Sequence, residues 1–222
     1  MLRRIKNKIT SRLYRQYKKH IPHLNDDPAA LKAEGYFSQC GQDKFIVEKL
    51  LNGLTNGVFV EVGANDGVTF SNTYFMEKNL GWTGVAVEPL PRAFRELSAN
   101  RKCNVLNGCV SNFNGDVQFL ALEGYTEMLS GIASKYDSQH LERIERELKI
   151  HGGEKTSITV PCFTLEKIVA DHMLAKIDYL SIDTEGGELE IVESLRNVKV
   201  KVSVVSVENN YGDWRIFNSL RR

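Results

Sequence analysis

Four short stretches of the 222-residue chain concentrate side chains able to do chemistry, and each directly follows an apolar, β-type run. The first is Glu61-Val62-Gly63-Ala64-Asn65-Asp66-Gly67. The others are Glu88 after Val85-Ala86-Val87, Asp183-Thr184-Glu185, and Glu208-Asn209-Asn210. Carboxylates and amides accept hydrogen bonds from a sugar diol, take the proton of a hydroxyl, or ligate a hard cation. In an open α/β sheet, ligands bind beyond the carboxyl ends of the strands, so these four ends are expected to meet at one crevice. One such residue alone is commonly a turn or cap, whereas four in succession favour a site.

The elements that must position them follow from periodicity. Apolar runs mark buried strands over residues 59–62, 84–88, 104–110, 177–183 and 202–207, and alternation marks strands over 115–122 and 156–163. Helices are expected from Ser71-Asn72-Thr73 to Leu80 with Gly81 as the stop, from Pro91 to Asn100, from Thr164 to His172, and after Gly186-Gly187. Ser38-Gln39-Cys40-Gly41-Gln42-Asp43 is a polar turn entering a further helix, where Ser38 or Asp43 serves as a cap or faces a ligand. The charged stretch 136–150 reads as a solvated helix with ion-pair candidates, and no chemistry is expected of it. The histidines, His20, His23, His140, His151 and His172, all fall in expected helices or linkers, none after a core strand.

Length and composition, 42% hydrophobic and 26% charged, fit one soluble domain. The net charge of +1 hides an asymmetry, because residues 1–20 carry eight Lys and Arg and no acid. The rest holds 21 basic against 28 acidic residues, which argues against a nucleic-acid-binding surface. Leu2, Ile5, Ile9, Leu13 and Tyr17 form one apolar stripe opposite that basic face. Such a helix docks on its own domain, on a protein partner or on an anionic membrane, or acts as an organelle transit segment. Residues 1–35 are therefore read as a basic amphipathic helix and linker, and 36–222 as the folded domain. No stretch is apolar enough to span a bilayer or serve as a secretory signal, so a cytoplasmic location is expected, with residues 2–19 as the candidate for peripheral membrane contact. Cys40, Cys103, Cys109 and Cys162 are scattered without metal or disulfide spacing and read as reduced thiols.

The loop after the first strand narrows the ligand. It has Asn65 and Val68 where a dinucleotide fingerprint requires glycines, and there is no G-x-x-x-x-G-K-[ST] phosphate cradle. Its form, E-x-G-x-x-D-G without basic residues, suits a nucleoside lacking a pyrophosphate, and S-adenosylmethionine meets that description. Glu88, about 20 positions on, is placed to accept hydrogen bonds from a ribose diol.

These residues resemble the FkbM-type S-adenosylmethionine-dependent methyltransferases. The resemblance rests on Ser38-Gln39 with Gly41-Gln42-Asp43, residues 59–67 with Asn72-Thr73, residues 84–89, Ser181-Ile182-Asp183-Thr184-Glu185-Gly186 with Glu188, and Glu208-Asn209. It implies an α/β, Rossmann-like methyltransferase fold, a mostly parallel sheet with helices on both faces, and O-methylation of a sugar, glycan or secondary-metabolite hydroxyl. With the strand-end geometry, it implies that Glu61, Gly63, Asn65, Asp66 and Gly67 hold the methionine end of the cofactor. Glu88 would hold the ribose, Cys109, Val110 and Ser111 the adenine, and Gln42 would close over the site.

A hydroxyl is a poor nucleophile at neutral pH, so its proton must be removed or its oxygen activated, and Asp183, Glu185 and Glu208 are the candidate bases. Asp183, Glu208 and Asn209 also form an oxygen-only set suited to Mg²⁺, resembling the metal trio of catechol-type O-methyltransferases with Glu in place of Asp. Sheets of this class end in a helix and two further strands, whereas this chain ends within the helix after the 202–207 strand. The C-terminal hairpin is thus expected to be missing, leaving that strand an exposed edge, in a truncated form or one covered by a partner. This keeps open an alternative, a catalytically impaired cofactor-binding or scaffold protein working through its basic helix. An NAD-linked oxidoreductase ranks third.

Overall fold

The computed structural model describes residues 27–136 and 138–221. The expected basic helix of residues 2–19 lies outside them. The main sheet has five strands: β1 (Val58–Val62), β2 (Thr83–Glu88), β3 (Asn104–Asn107), β8 (Lys176–Ile182) and β9 (Lys201–Val207). Their order is β3-β2-β1-β8-β9 and every pairing is parallel. The chain runs outward from β1 to β3 and later returns to the other side of β1, so the order reverses between β1 and β8. In open parallel sheets that reversal opens a crevice at the strand ends.

Period-two alternation sorts the strand residues onto two covered faces. Val60, Val62, Val85, Val87, Leu180 and Ile182 pack against helices α6 (Leu165–Asp171), α7 (Glu188–Ser194) and α8 (Trp214–Leu220). On the other face, Phe59 and Tyr179 meet Met76 of helix α3 (Tyr74–Leu80), Trp82, Ile46 and Val47. Helix α4 (Pro91–Asn100) adds Leu97 against Ala64 and Ala86. Each such fully buried Val, Leu or Ile contributes about 1.5–3 kcal/mol. The expected α/β, Rossmann-like arrangement with helices on both faces is present.

Packing begins ahead of Tyr36. Helix α1 (Pro28–Ala33) is capped by Asp27, whose carboxylate accepts from Ala29 N, and it buries Leu31 against Tyr36 and Phe59. Helix α2 (Gln42–Phe45) continues as a π-helical turn (Ile46–Leu50). Its Asp43 turns back to accept from Phe37 N at 2.7 Å, Ser38 N at 3.1 Å and Ser38 Oγ at 2.6 Å, so it ties down the preceding turn.

The strand expected over 104–110 is two strands. At Gly108 the backbone crosses so close to the neighbouring chain that a Cβ would lie 2.6 Å from Pro161 O. There the chain leaves β3 and enters β4 (Cys109–Val110), which belongs to a second sheet. That sheet, ordered β4-β7-β5-β6, also contains β5 (Gly115–Leu122), β6 (Gly131–Ile132) and β7 (Lys155–Phe163). It stands beside the carboxyl ends of the main strands, with helix α5 (Ser138–His151) next to it. β9 is an edge strand of the main sheet, followed by α8. Among the described residues, no helix is long and apolar enough to cross a membrane.

One buried cation ties the first loop to the frame. The Arg101 side chain, at the C-terminus of α4, is fully buried and donates to Glu61 at 3.2 Å, Glu77 at 2.8 Å, Gly67 O at 3.1 Å and Thr73 Oγ1 at 2.8 Å. Glu61 in turn accepts from Ser71 Oγ, Asn72 N and Thr73 Oγ1. Removing one partner of such a pair strands the other as a buried charge. Arg101→Met should therefore cost roughly 3–5 kcal/mol in urea unfolding, and the double variant Glu61→Leu/Arg101→Met should cost less. Additive losses in the double variant would contradict this coupling.

Candidate active site

The carboxyl ends of β1, β2, β8 and β9 open into one cavity of about 790 Å³, within the range of small-molecule sites. At its floor, β1 and β8 touch. Gly63 has φ +83°, and a Cβ there would lie 1.9 Å from Asp183 O, so only glycine lets the two strand ends close together. Backbone bonds from Gly63 N and Ala64 N to Val87 O, and from Asp183 N to Val62 O, hold the three ends in register.

At one end of the cavity stands Glu88. Its carboxylate accepts from Asn65 N at 2.8 Å and Leu90 N at 2.9 Å, leaving one further acceptor position on each oxygen. Burial pushes its pKa up to about 7, against the two backbone N–H donors and with help from Glu127. Asn65 sits at φ +49° and Asp66 caps its own loop by accepting from Val68 N and Thr69 N. Val110 and Cys109 line the same end.

At the other end Asp183, Glu185 and Glu208 converge, with carboxylate oxygens within 4.8 Å of one another. Glu185 is held at φ +51° by a tight turn in which Glu188 accepts from Thr184 N, Thr184 Oγ1 and Gly186 N. Three like charges removed from water favour protonation. Burial, then the Glu208 charge, raises Asp183 well above the carboxylate range, and the same two causes bring Glu185 to about 8, against Arg143. Burial raises Glu208 as well, opposed by hydrogen bonds from Asp183 and Asn210. Glu185 Oε2 is buried with no hydrogen-bond donor, although Nδ1 of His140 lies 3.6 Å away and Arg143 Nη1 3.7 Å away.

The structure thus gathers Gly63, Asn65, Asp66, Glu88, Val110, Asp183, Glu185 and Glu208 around one cavity. Five expected site residues stand elsewhere. Glu61 shares the face of Phe59 by the period-two rule and is consumed by Arg101 and the 71–73 turn. Gly67 faces Leu97 and Arg101. The Gln42 side chain accepts from Cys40 N, and Gln39 of the same turn reaches the cavity instead. Ser111 is buried with its N–H on Phe163 O. Asn209 spends its amide on both backbone groups of Asp213, so the carboxylate trio contains Glu185 where Asn209 was expected, and Asn210 lines the cavity.

Sequence reasoning missed His140 and Arg143, assigned to a solvated helix. His140 is 1% exposed, so α5 has a buried face at its spacing to Ile144 that the charge count obscured. A carbonyl only accepts, so the contact of His140 Nε2 with Leu129 O at 3.1 Å puts a proton on that nitrogen, while Nδ1 faces the Tyr211 hydroxyl at 3.2 Å. Tyr136 stacks on the ring at 4.4 Å.

A family model described as the methyltransferase FkbM domain matches residues 61–222. The chain belongs to the FkbM methyltransferase family. The match begins at Glu61 and covers every strand end that lines the cavity, so the FkbM domain and the site coincide. The FkbM family is one of methyltransferases, which makes this cavity the place where methyl transfer is to be sought. No curated protein and no solved structure matches the chain.

The raised pKa of Glu88 means that the folded protein holds a proton there that the unfolded chain releases near 4.5. That contribution to stability is complete below about 4.5 and is lost as pH rises through about 7. Relative to Glu88→Gln, the wild type should lose stability across this window and level off above it, as read from thermal unfolding at a series of pH values.

Proposed function

We propose that this FkbM domain is an O-methyltransferase that uses S-adenosylmethionine to methylate a hydroxyl of a sugar, glycan or secondary metabolite. The observation that carries the reading is the division of one cavity between Glu88 at one end and the trio Asp183, Glu185 and Glu208 at the other. The donor, when bound, supplies a sulfonium methyl group open to in-line displacement. Glu88, with an acceptor position left on each oxygen, suits the two ribose hydroxyls, and the absence of Lys and Arg from residues 58–73 suits a nucleoside without phosphates. Gly63 and Asn65 keep the loop backbone close to the donor's methionine end.

The carboxylate trio takes the acceptor's proton. A base works best when its pKa lies near the working pH, and Glu185 at about 8 meets that condition. Asp183 stands at the strand end whose backbone closes against Gly63 of the donor loop. The buried oxygen of Glu185 without a hydrogen-bond donor fits an incoming hydroxyl, and the all-oxygen trio equally fits a Mg²⁺ ion, which would orient that hydroxyl. Turnover unchanged by EDTA would leave proton removal to the carboxylates alone.

Glu88→Ala should weaken S-adenosylmethionine binding in calorimetry, whereas Asp183→Ala should keep binding and lose release of S-adenosylhomocysteine with hydroxylated acceptors. Equal loss of binding in both variants would refute this division of labour.

A further inference from the structure

Two of the four thiols, far apart in the chain, are brought face to face. Cys109 of β4 and Cys162 of β7 are register partners on adjacent parallel strands. Residues paired in this way point to the same side of the sheet. Both side chains enter one apolar cluster with Phe119, Ile132 and Val160. Directly opposed residues on neighbouring strands have Cα atoms about 4.8 Å apart, inside the range of roughly 4.4–6.8 Å that disulfides span. Cys109 also lines the cavity, at the end occupied by Glu88, while Cys162 lies immediately behind it. Cys40 is exposed, and Cys103 is tied into the apolar packing near α4.

We propose that Cys109 and Cys162 form an oxidisable dithiol, a reversible disulfide site built into the cavity wall. The two thiols differ. The Cys109 S–H donates to Pro161 O at 3.6 Å, and the nearness of that thiol lowers the pKa of Cys162 against the effect of burial, with Lys135 and the Phe163 N–H helping. The neighbouring Cys162, together with burial, raises that of Cys109. Cys162 thus has the lower pKa of the two, while Cys109 is the thiol that faces the cavity. With hydrogen peroxide as oxidant, the sulfur of one thiol attacks a peroxide oxygen, the O–O bond breaks, the thiol proton passes to the leaving hydroxide, and a sulfenic acid and one water form. The sulfur of the other thiol then attacks the sulfenic sulfur, the S–O bond breaks, and a second water leaves as the S–S bond forms. Two thiols lose two protons and two electrons, and one peroxide becomes two waters.

The consequence for the ligand rests on the donor site proposed above. β4 is two residues long and follows the tight crossing at Gly108, so drawing Cys109 toward Cys162 displaces the wall formed by Cys109 and Val110. The oxidised protein should bind S-adenosylmethionine about tenfold more weakly, and dithiothreitol should restore the binding.

The test uses the full chain, as wild type and as Cys40→Ser/Cys103→Ser. After treatment with hydrogen peroxide and denaturation, the double variant should show loss of both remaining thiols and a mass lower by about 2 Da, without a covalent dimer. Peptide mapping of the oxidised wild type should find the 109–162 link, which keeps the test valid if the double variant folds poorly. Both thiols surviving after Cys40 has been consumed, or a mass gain by sulfinic acid instead of a link, would overturn the dithiol. A link that forms while calorimetry shows unchanged binding would overturn its effect on the site. Reduced protein that binds no S-adenosylmethionine would remove the donor reading and leave the disulfide standing on its own measurement.

Discussion

The buried ion pair between Arg101 and Glu61 is the constraint on which the first loop depends. Glu61 sits inside the central strand, on a face covered by helices, where an unpaired carboxylate is not tolerated. Arg101 reaches it from the end of α4 and at the same time holds Gly67 O, Thr73 and Glu77. One guanidinium thereby connects strand β1, the loop after it, the start of α3 and the end of α4. The loop residues that face the cavity, Asn65 and Asp66, keep their positions because the loop is clamped from behind. A carboxylate that looks like a ligand residue in the sequence is a structural anchor.

The opposite end of the cavity is built on the reverse principle. Asp183, Glu185 and Glu208 are crowded together and raised in pKa, with Arg143 as a flanking cation. Such crowding costs stability, and it persists because the parallel ladder and the Glu188-capped turn over-determine where the three residues sit. The parallel sheet makes the two ends complementary: strand ends on one side of the reversal bring Glu88, and those on the other bring the trio. The second sheet and α5 then flank the cavity with Phe119, Ile132, Arg143 and the Cys109 wall.

Much of the site was legible because strand-end residues in an open parallel sheet all emerge on one side. Glu88, Asp183, Glu185 and Glu208 needed only the order of apolar runs and the acid after each. The residues misread were those whose roles depend on direction within a strand or turn. Glu61 is an internal strand position, Gln42 and Asn209 spend their amides on local backbone, and Ser111 follows the unexpected crossing at Gly108. His140 and Arg143 were hidden because a helix rich in charge shows no strong apolar stripe, although one face of it is buried.

By itself the sequence determined the five parallel strands, the helices between them, the acids at the strand ends and the loop without phosphate-binding glycines or cations. These follow from short-range regularities, namely side-chain period, turn chemistry and spacing. The tertiary structure alone decided which of those acids face a cavity and which are neutralised, that β3 and β4 belong to different sheets, and that Cys109 meets Cys162. Those outcomes depend on contacts between residues distant in the chain, set by which strands pair and how closely backbones cross, and no local pattern encodes them.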